Sequence, residues 1–377
     1  MRIVVLADLN SKFGGGDFAV YKYFEYLSLR GHEVVCYYTS YPDFFKSYDN
    51  FICKKKIFFD YKFKGMGILN ATIEKIYDKF VLNNYLEKHS SEIDFIVGYQ
   101  KDTAIKAVNL GRKHNIKVAN LIFETPLWLE KEWNAWSEIW RGSKTLRSKW
   151  QNFKTSLHKS EIIIAISKMT AKETKKWSGR EVGGVAYPGF TIPDSIKNLD
   201  VPKENQIIFV GRLVNNKNVA DILKALSLIK NPPKLVICGN GDEYHNLISL
   251  SNKLNLRCDF MGKVDEEKKW LEIKKSLCMV FPSSFEGFGM PPMEALAAGT
   301  PCICSNIPIL CELYGEYVDY VEVHDIKMMA EKIKLLATDK NYREMSASRG
   351  KKYIGENFGW ERAASQIETI LTQFPTK

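Results

Sequence analysis

The segment Gly211-Arg212-Leu213-Val214-Asn215-Asn216-Lys217-Asn218 places a guanidinium and an ammonium in one loop between an apolar run, Gln206 to Val210, and a helical pattern. Arg offers a planar fork of donors and Lys a compact point charge, a combination that suits a diphosphate whose negative charge grows as it departs. Farther on, Glu286-Gly-Phe-Gly-Met-Pro-Pro-Met-Glu294 sets two carboxylates seven residues apart around a proline-glycine frame. Carboxylates accept hydrogen bonds from paired sugar hydroxyls, so each suits a ribose or a transferred sugar. Pro291 and Pro292 fit the first turn of a helix and Gly299 its end, which starts a helix near Pro291 with Glu294 in its first turn. The amides of Phe288, Gly289 and Met290 then sit at a helix N-terminus that favours phosphate, and Gly287 and Gly289 allow close approach. Two plainer readings stay open: a surface loop with incidental charges, and a Glu294 that only favours the positive end of its helix.

Such loops need strands that end where they begin. Residues 2 to 7 read as a buried strand, followed by a glycine-containing loop through Gly14-Gly15-Gly16 and a helical pattern from Phe18 to Arg30. Gly31-His32 ends that helix and Glu33 to Tyr38 opens a second strand. Further apolar runs at 95–98, 118–123 and 162–166, separated by helix-length segments, argue for a parallel sheet with helices on both faces. The pattern breaks near Tyr187-Pro188-Gly189, and a polar, proline-punctuated stretch follows. A second alternation then runs through strands at 207–210, 234–238, 279–282 and 301–305, with helices at 219–229 and 244–254 and from Pro291. The expected fold is α/β, two Rossmann-like doubly wound parallel-sheet domains facing across a cleft. Its expected boundaries are 1–190, a linker at 191–203, a donor domain at 204–357 and a C-terminal helix at 358–377 that returns to the first domain. Ligands of such sheets bind beyond the carboxyl ends of the strands.

Length and composition agree with this organisation. A chain of 377 residues exceeds what one core usually organises, and 45% hydrophobic with 26% charged residues fits a globular enzyme rather than a disordered chain. Met1 to Asp8 is too brief and too soon polar for a signal peptide, and no apolar stretch approaches the roughly 20 residues that cross a bilayer. The eight cysteines lack a metal-finger or secreted-scaffold spacing, so a reducing cytoplasm is the expected compartment. Residues 1–190 carry 30 Lys and Arg against 20 Asp and Glu, whereas the remainder carries 24 of each. Most of the excess lies between Arg141 and Arg180, close to Trp128, Trp133, Trp136, Trp140 and Trp150. Each basic residue near an anionic membrane is worth about 1 kcal/mol, and Trp suits a water-lipid boundary, so peripheral attachment to the inner face of a membrane is one reading. A solvated helix face with core tryptophans is the other.

The motifs together are specific. Gly211-Arg212-Leu213 with Lys217, Cys238-Gly-Asn-Gly241, Met261-Gly-Lys-Val264, the Glu286 to Glu294 segment, Gly299-Thr-Pro301 and Ser305 resemble the family 4 retaining glycosyltransferases of GT-B fold. Gly14-Gly15-Gly16 and Phe358-Gly-Trp360 resemble the same family's terminal motifs. The resemblance implies that Arg212 and Lys217 hold the donor diphosphate as leaving group, that Glu294 binds the nucleotide ribose and that Glu286 contacts the donor sugar. It further implies that Gly15 and Gly16 approach the diphosphate, that Gly211, Gly239, Gly287, Phe288, Gly289 and Met290 line the donor site, and that Val264 lies against the base. No metal or other cofactor is implied; a GDP-, UDP- or dTDP-linked sugar is the co-substrate and a glycan or polyprenyl-linked glycan the acceptor, with no nucleic acid involved.

One departure stands out. Many relatives place a histidine in the loop after the strand at 118–123, where this chain has Phe123-Glu124-Thr125-Pro126, so Glu124 takes over a sugar contact or the loop serves an unusual acceptor. His32, His89, His114, His158, His245 and His324 sit in no catalytic setting. The expected activity is metal-independent transfer of a hexose such as mannose or glucose. A nucleotide-sugar epimerase of related fold and a non-enzymatic sugar-nucleotide-binding scaffold at a membrane are the rivals. A dehydrogenase is disfavoured because no Gly-x-Gly-x-x-Gly opens a helix with the acid expected on the next strand.

Overall fold

The computed structural model describes residues 1–7, 15–38, 55–57, 78–125 and 144–375. Of these, the residues up to Gly189 and from Trp360 onward form one compact unit, and Phe190–Gly359 form a second.

The first unit contains β1 (Arg2–Ala7), α1 (Gly15–Leu29), β2 (Glu33–Tyr38), β3 (Lys55–Ile57), α2 (Asn83–His89), β4 (Phe95–Tyr99), α3 (Gln100–His114), β5 (Lys117–Ile122), α4 (Lys144–His158), β6 (Ile162–Ala165), α5 (Lys168–Ser178) and β7 (Gly184–Val185). Its strands pair in parallel in the order β3-β2-β1-β4-β5-β6-β7, with Val4 opposite Val35 on one side and Ile96 on the other. Ile3, Val4, Val5, Phe95, Ile96, Ile163 and Ile164 are all buried. Central strands of a sheet covered on both faces need such continuous apolar runs rather than an alternating pattern.

The second unit contains α6 (Asp194–Lys197), β8 (Gln206–Val210), α7 (Val219–Ser227), β9 (Lys234–Cys238), α8 (Tyr244–Lys253), β10 (Cys258–Gly262), α9 (Glu266–Lys275), β11 (Cys278–Phe281), α10 (Met290–Ala297), β12 (Cys302–Ser305), α11 (Pro308–Tyr314), β13 (Asp319–Val321), α12 (Ile326–Thr338) and α13 (Lys340–Asn357). The six strands are parallel in the order β10-β9-β8-β11-β12-β13. The strand order reverses between β8 and β11, and a crevice opens at such a switch point beyond the carboxyl ends of the strands. Both expected sheets are therefore present. The strands that sequence patterning did not reveal, β3, β7, β10 and β13, are the four sheet edges.

Three local expectations change. Helix α1 begins at Gly15 rather than at Phe18, because the first turn leaves its amides without intrahelical partners and so tolerates glycine; Gly14 lies outside the described residues. The stretch expected to be a linker is packed structure: Ile196 of α6 is buried, Lys274 Nζ donates to Ile196 O at 2.7 Å, and Lys203 Nζ donates to Ser276 O at 2.8 Å and Thr300 Oγ1 at 2.9 Å. Trp150 is a core residue, 3% exposed and edge-on to Trp177 at 5.7 Å. Trp128, Trp133, Trp136, Trp140 and Arg141 lie outside the described residues. Among the described residues no helix is long and apolar enough to cross a membrane.

The last helix, α14 (Trp360–Thr372), belongs to the first unit. Trp360, 2% exposed, meets Phe18 and Tyr23 edge to face at 5.9 and 5.6 Å. Ile370 packs where a side chain on Gly184 would lie 2.5 Å from it, and Gln366 Oε1 accepts from the Tyr187 amide at 3.0 Å. Arg30 pairs with Glu361 and Glu368, and His32 Nε2 lies 2.9 Å from Glu368 Oε1. Replacing Trp360 by Ala should cost the protein about 3–5 kcal/mol in urea unfolding; a loss below about 1 kcal/mol would show that α14 does not anchor there.

Candidate functional site

The cationic loop and the carboxylate loop follow β8 and β11, the two neighbouring strands at which the order of the second sheet reverses. Side-chain amides stitch them together. Asn216 O accepts from the Ser284 amide at 2.9 Å and from Ser284 Oγ at 3.2 Å, while Asn216 Nδ2 donates to Phe285 O at 3.2 Å. Asn218, in the left-handed conformation with φ +51°, turns the chain into α7 and donates from Nδ2 to Pro282 O at 2.9 Å. Asn tolerates that backbone region better than most residues. Neither asparagine figured among the candidate residues; the signal was the Asn-Asn-Lys-Asn spacing itself, which supplies side-chain amides on both sides of the cation.

Lys217 is consequently not a mobile charge. Its Nζ pairs with Glu286 Oε1 and lies 5.4 Å from the centre of the Phe281 ring, and the two charged side chains keep only 11% and 10% of their surface. Arg212 is exposed and, among the described residues, has no ion pair. The sequence put both cations in one role; the structure separates a pinned ammonium from a guanidinium free to reorient.

The loop after β9 closes in on the same strand end. Gly211 N donates to Cys238 O at 3.0 Å, Leu213 N to Asn240 O at 3.0 Å, and Glu243 N to Leu213 O at 3.0 Å. Gly239 has φ +152°, and a Cβ on it would stand 1.8 Å from the Gly211 carbonyl oxygen. Glycine is therefore required for the two loops to touch. Val264 is half-buried in the loop between β10 and α9.

Gly289 caps α10 with φ +88°, Pro291 and Pro292 occupy its first turn, and the buried Tyr314 hydroxyl donates to Gly289 O. Phe288 is buried, and Gly287, Gly289 and Met290 complete the turn between Glu286 and the helix. Because α10 starts at Met290, Glu294 falls in its second turn, not its first, which removes the helix-end explanation for that carboxylate. Glu294 is instead held by Lys269, a residue of α9 that sequence reasoning missed: Nζ lies 2.8 Å from Oε1. Burial works against the Lys269 charge, but Glu294 and Glu266 outweigh it and hold the ammonium well above its ordinary pKa.

Thus Gly211, Arg212, Lys217, Gly239, Glu286, Gly287, Phe288, Gly289 and Met290 all lie in loops or helix starts at the carboxyl ends of β8, β9 and β11, and Glu294 lies one turn into α10. Gly15 and Gly16 open α1 after β1 and Glu124 follows β5, all in the first unit. The six histidines have other occupations: His158 Nε2 bonds Ser178 O at 2.8 Å, His324 Nδ1 lies 2.7 Å from Asp221, and His114 lies 3.0 Å from Asn83, with burial lowering its pKa. His32 pairs with Glu368, His89 with Glu92, and His245 stands edge-on to Tyr244.

Residues 192–353, a span wholly inside the second unit, match the family described as glycosyl transferases group 1. An uncharacterized glycosyltransferase of Methanocaldococcus jannaschii is 31% identical over 173 residues, which is 44% of this chain and 44% of that protein. The O-antigen chain mannosyltransferase RfbU of Salmonella typhimurium is 33% identical over 135 residues, 35% of this chain and 38% of that protein. The chain thus aligns with less than half the length of these relatives. Over the whole chain, Anabaena HepE, solved in complex with UDP, is similar with a TM-score of 0.76 at 15% identity, covering 99% of this chain and 100% of that one. Sucrose-phosphate synthase of Thermosynechococcus elongatus gives 0.75 at 17% identity, covering 99% of each chain. Likeness at this identity establishes the GT-B fold.

The loop contact at Gly239 is the part of this arrangement that a single methyl group tests. Gly239→Ala should lower stability by about 3 kcal/mol or more from strain and overpacking. An unchanged thermal midpoint would mean that the loops after β8 and β9 can separate freely.

Proposed function

We propose that this chain, whose residues 192–353 belong to the glycosyl transferases group 1 family, is a retaining glycosyltransferase that uses a nucleotide-diphosphate sugar as donor. The observation that carries this reading is the stitched pair of loops after β8 and β11, which brings Lys217, Glu286 and the start of α10 to one switch point with Arg212 beside them. A diphosphate calls for cations and amide donors, and this strand end carries the exposed Arg212, the Lys217 ammonium paired with Glu286, and the first amides of α10.

In the proposed reaction the bond from the anomeric carbon to the diphosphate oxygen breaks while the acceptor hydroxyl forms the new bond on the same face. The hydroxyl proton passes to the departing diphosphate. Arg212 and Lys217 stabilise the charge that accumulates on that leaving group, and the amides of Phe288, Gly289 and Met290 share it. Glu286, paired with Lys217, also faces the donor sugar, and Glu294 takes the ribose. No strong enzymic nucleophile is needed, so most of the rate comes from leaving-group electrostatics. The transferred sugar is a hexose, mannose or glucose, in line with the mannosyltransferase among the relatives. Gly15, Gly16 and Glu124 contribute from the first unit, and the acceptor is a glycan or a lipid-linked glycan.

Single replacements Arg212→Ala and Lys217→Ala should each slow sugar transfer about a hundredfold or more. GDP-, UDP- and dTDP-sugars are screened first by thermal stabilisation, since a ligand at about 100 times its dissociation constant adds roughly 2.7 kcal/mol. Wild-type turnover in both variants defeats the proposal. Donor consumption without any acceptor points to an epimerase instead, and binding without consumption to a scaffold.

Attachment to an anionic membrane is supported by the charge of the described helices, and Trp150, which is in the core, takes no part in it. Lys144, Arg147 and Lys149 of α4 and Lys168, Lys172, Lys175 and Lys176 of α5 are exposed on neighbouring helices. Binding to vesicles containing anionic lipid should weaken steeply as salt rises from low to physiological strength. Indifference to such vesicles at low salt removes the membrane from the proposal.

A further inference from the structure

Helix α9 is fixed at its start by Asp265, whose carboxylate accepts from the Lys268 amide at 2.7 Å. One turn on, Lys269 sits between two carboxylates: Nζ is 2.8 Å from Glu294 Oε1 and 2.8 Å from Glu266 Oε2. The inner pair is nearly closed off, Lys269 keeping 13% and Glu294 12% of their side-chain surface, whereas Glu266 keeps 42%. Exposed ion pairs contribute little, but an enclosed one leaves an uncompensated charge when either partner is lost. Across α10 the packing is apolar: α13 brings Gly350 so close to Leu296 that an added Cβ would lie 2.6 Å from its Cδ2. The charges acting on Glu294 come from Lys269 and Glu266, both on α9.

We infer that Lys269 is a positioning residue for the donor: it fixes one oxygen of Glu294 and leaves the other to accept from the ribose hydroxyls, so that the Lys269–Glu294 pair sets a preference for ribonucleotides over deoxyribonucleotides. The inference rests on the nucleotide-sugar reading above. A carboxylate has two oxygens and about four lone-pair positions, and the ammonium takes only one of them. Burial pushes the Glu294 carboxyl up, and Lys269 opposes that rise. Without the ammonium nothing on α9 opposes the effect of burial, so the carboxyl is driven further toward its protonated form, which offers a donor where the ribose needs an acceptor. A site built around a hydroxyl rejects the analogue that lacks it, because its own polar group is then left unpaired.

The test measures binding of UDP, GDP and their 2′-deoxy counterparts to the full chain at pH 8 and pH 6. The wild type is expected to prefer the ribonucleotide about tenfold or more at both values. Lys269→Met should lose most of that preference, bind the ribonucleotide more weakly as pH falls and raise the donor KM more than it lowers kcat; Lys269→Arg, which keeps the charge, should regain much of the preference. A folded Lys269→Met protein that keeps the wild-type preference at both pH values overturns the inference. Wild-type protein that binds the ribonucleotides and their 2′-deoxy counterparts equally, or whose preference collapses by pH 6, overturns it without needing any variant and leaves the donor-site reading standing. If the wild type binds neither nucleotide, the donor-site reading itself fails and the inference falls with it.

Discussion

The ammonium of Lys217 is almost out of water, and the Glu286 carboxylate beside it is equally enclosed, so each depends on the other as its partner. Breaking such a pair from one side typically costs about 3–5 kcal/mol because it strands a charge in a poorly solvated place. Much of the surrounding architecture follows from keeping the two groups in register. They come from loops separated by the whole of α7, β9, α8, β10, α9 and β11, so only the adjacency of β8 and β11 brings them together. The asparagines at 216 and 218 then tie one loop to carbonyls of the other, and Phe281 supplies a ring beneath the ammonium. The same enclosure recurs at Lys269 and Glu294, giving the second unit two fixed carboxylate-ammonium pairs around one helix start.

Arg212 complements these pairs. A guanidinium that remains exposed keeps its hydration and its rotamer freedom until a ligand arrives, whereas a pinned ammonium has already lost both. One cation therefore pre-shapes the strand end and the other can close on an anion once it is there.

The central elements were legible in the sequence because a strand covered on both faces must be apolar throughout, as Gln206–Val210 and Ile162–Ala165 are nearly to the residue. The edge strands were not. Cys258–Gly262 is half-buried along most of its length, Gly184–Val185 has two residues, and Lys55–Ile57 begins with two lysines, so none presents an apolar run. Helix α13 was missed for the same reason: of its 18 residues only Gly350 and Ile354 are buried, and its remaining pattern is polar. At the site, residue types and spacing gave the charged and glycine positions but not their partners. Lys269 lies 25 positions before Glu294, and nothing local in Glu-Glu-Lys-Lys-Trp reveals that the fourth residue rather than the third turns toward α10. Local periodicity sees the face of an element; it does not see which neighbour that face will meet.

The second unit is an insertion within the first: the chain leaves after Gly189 and re-enters at Trp360 to place one last helix against α1. Synthesis proceeds from the N-terminus, so the inserted unit can complete its own sheet while the earlier one still lacks a wall. Until residues 360–372 emerge, Phe18, Tyr23 and Gly184 present an uncovered apolar seam to the solvent and to other nascent chains. A ribosome that stops shortly before Trp360 would accordingly release a product with one finished unit and one open to aggregation, which makes α14 the gatekeeper of the unit it closes.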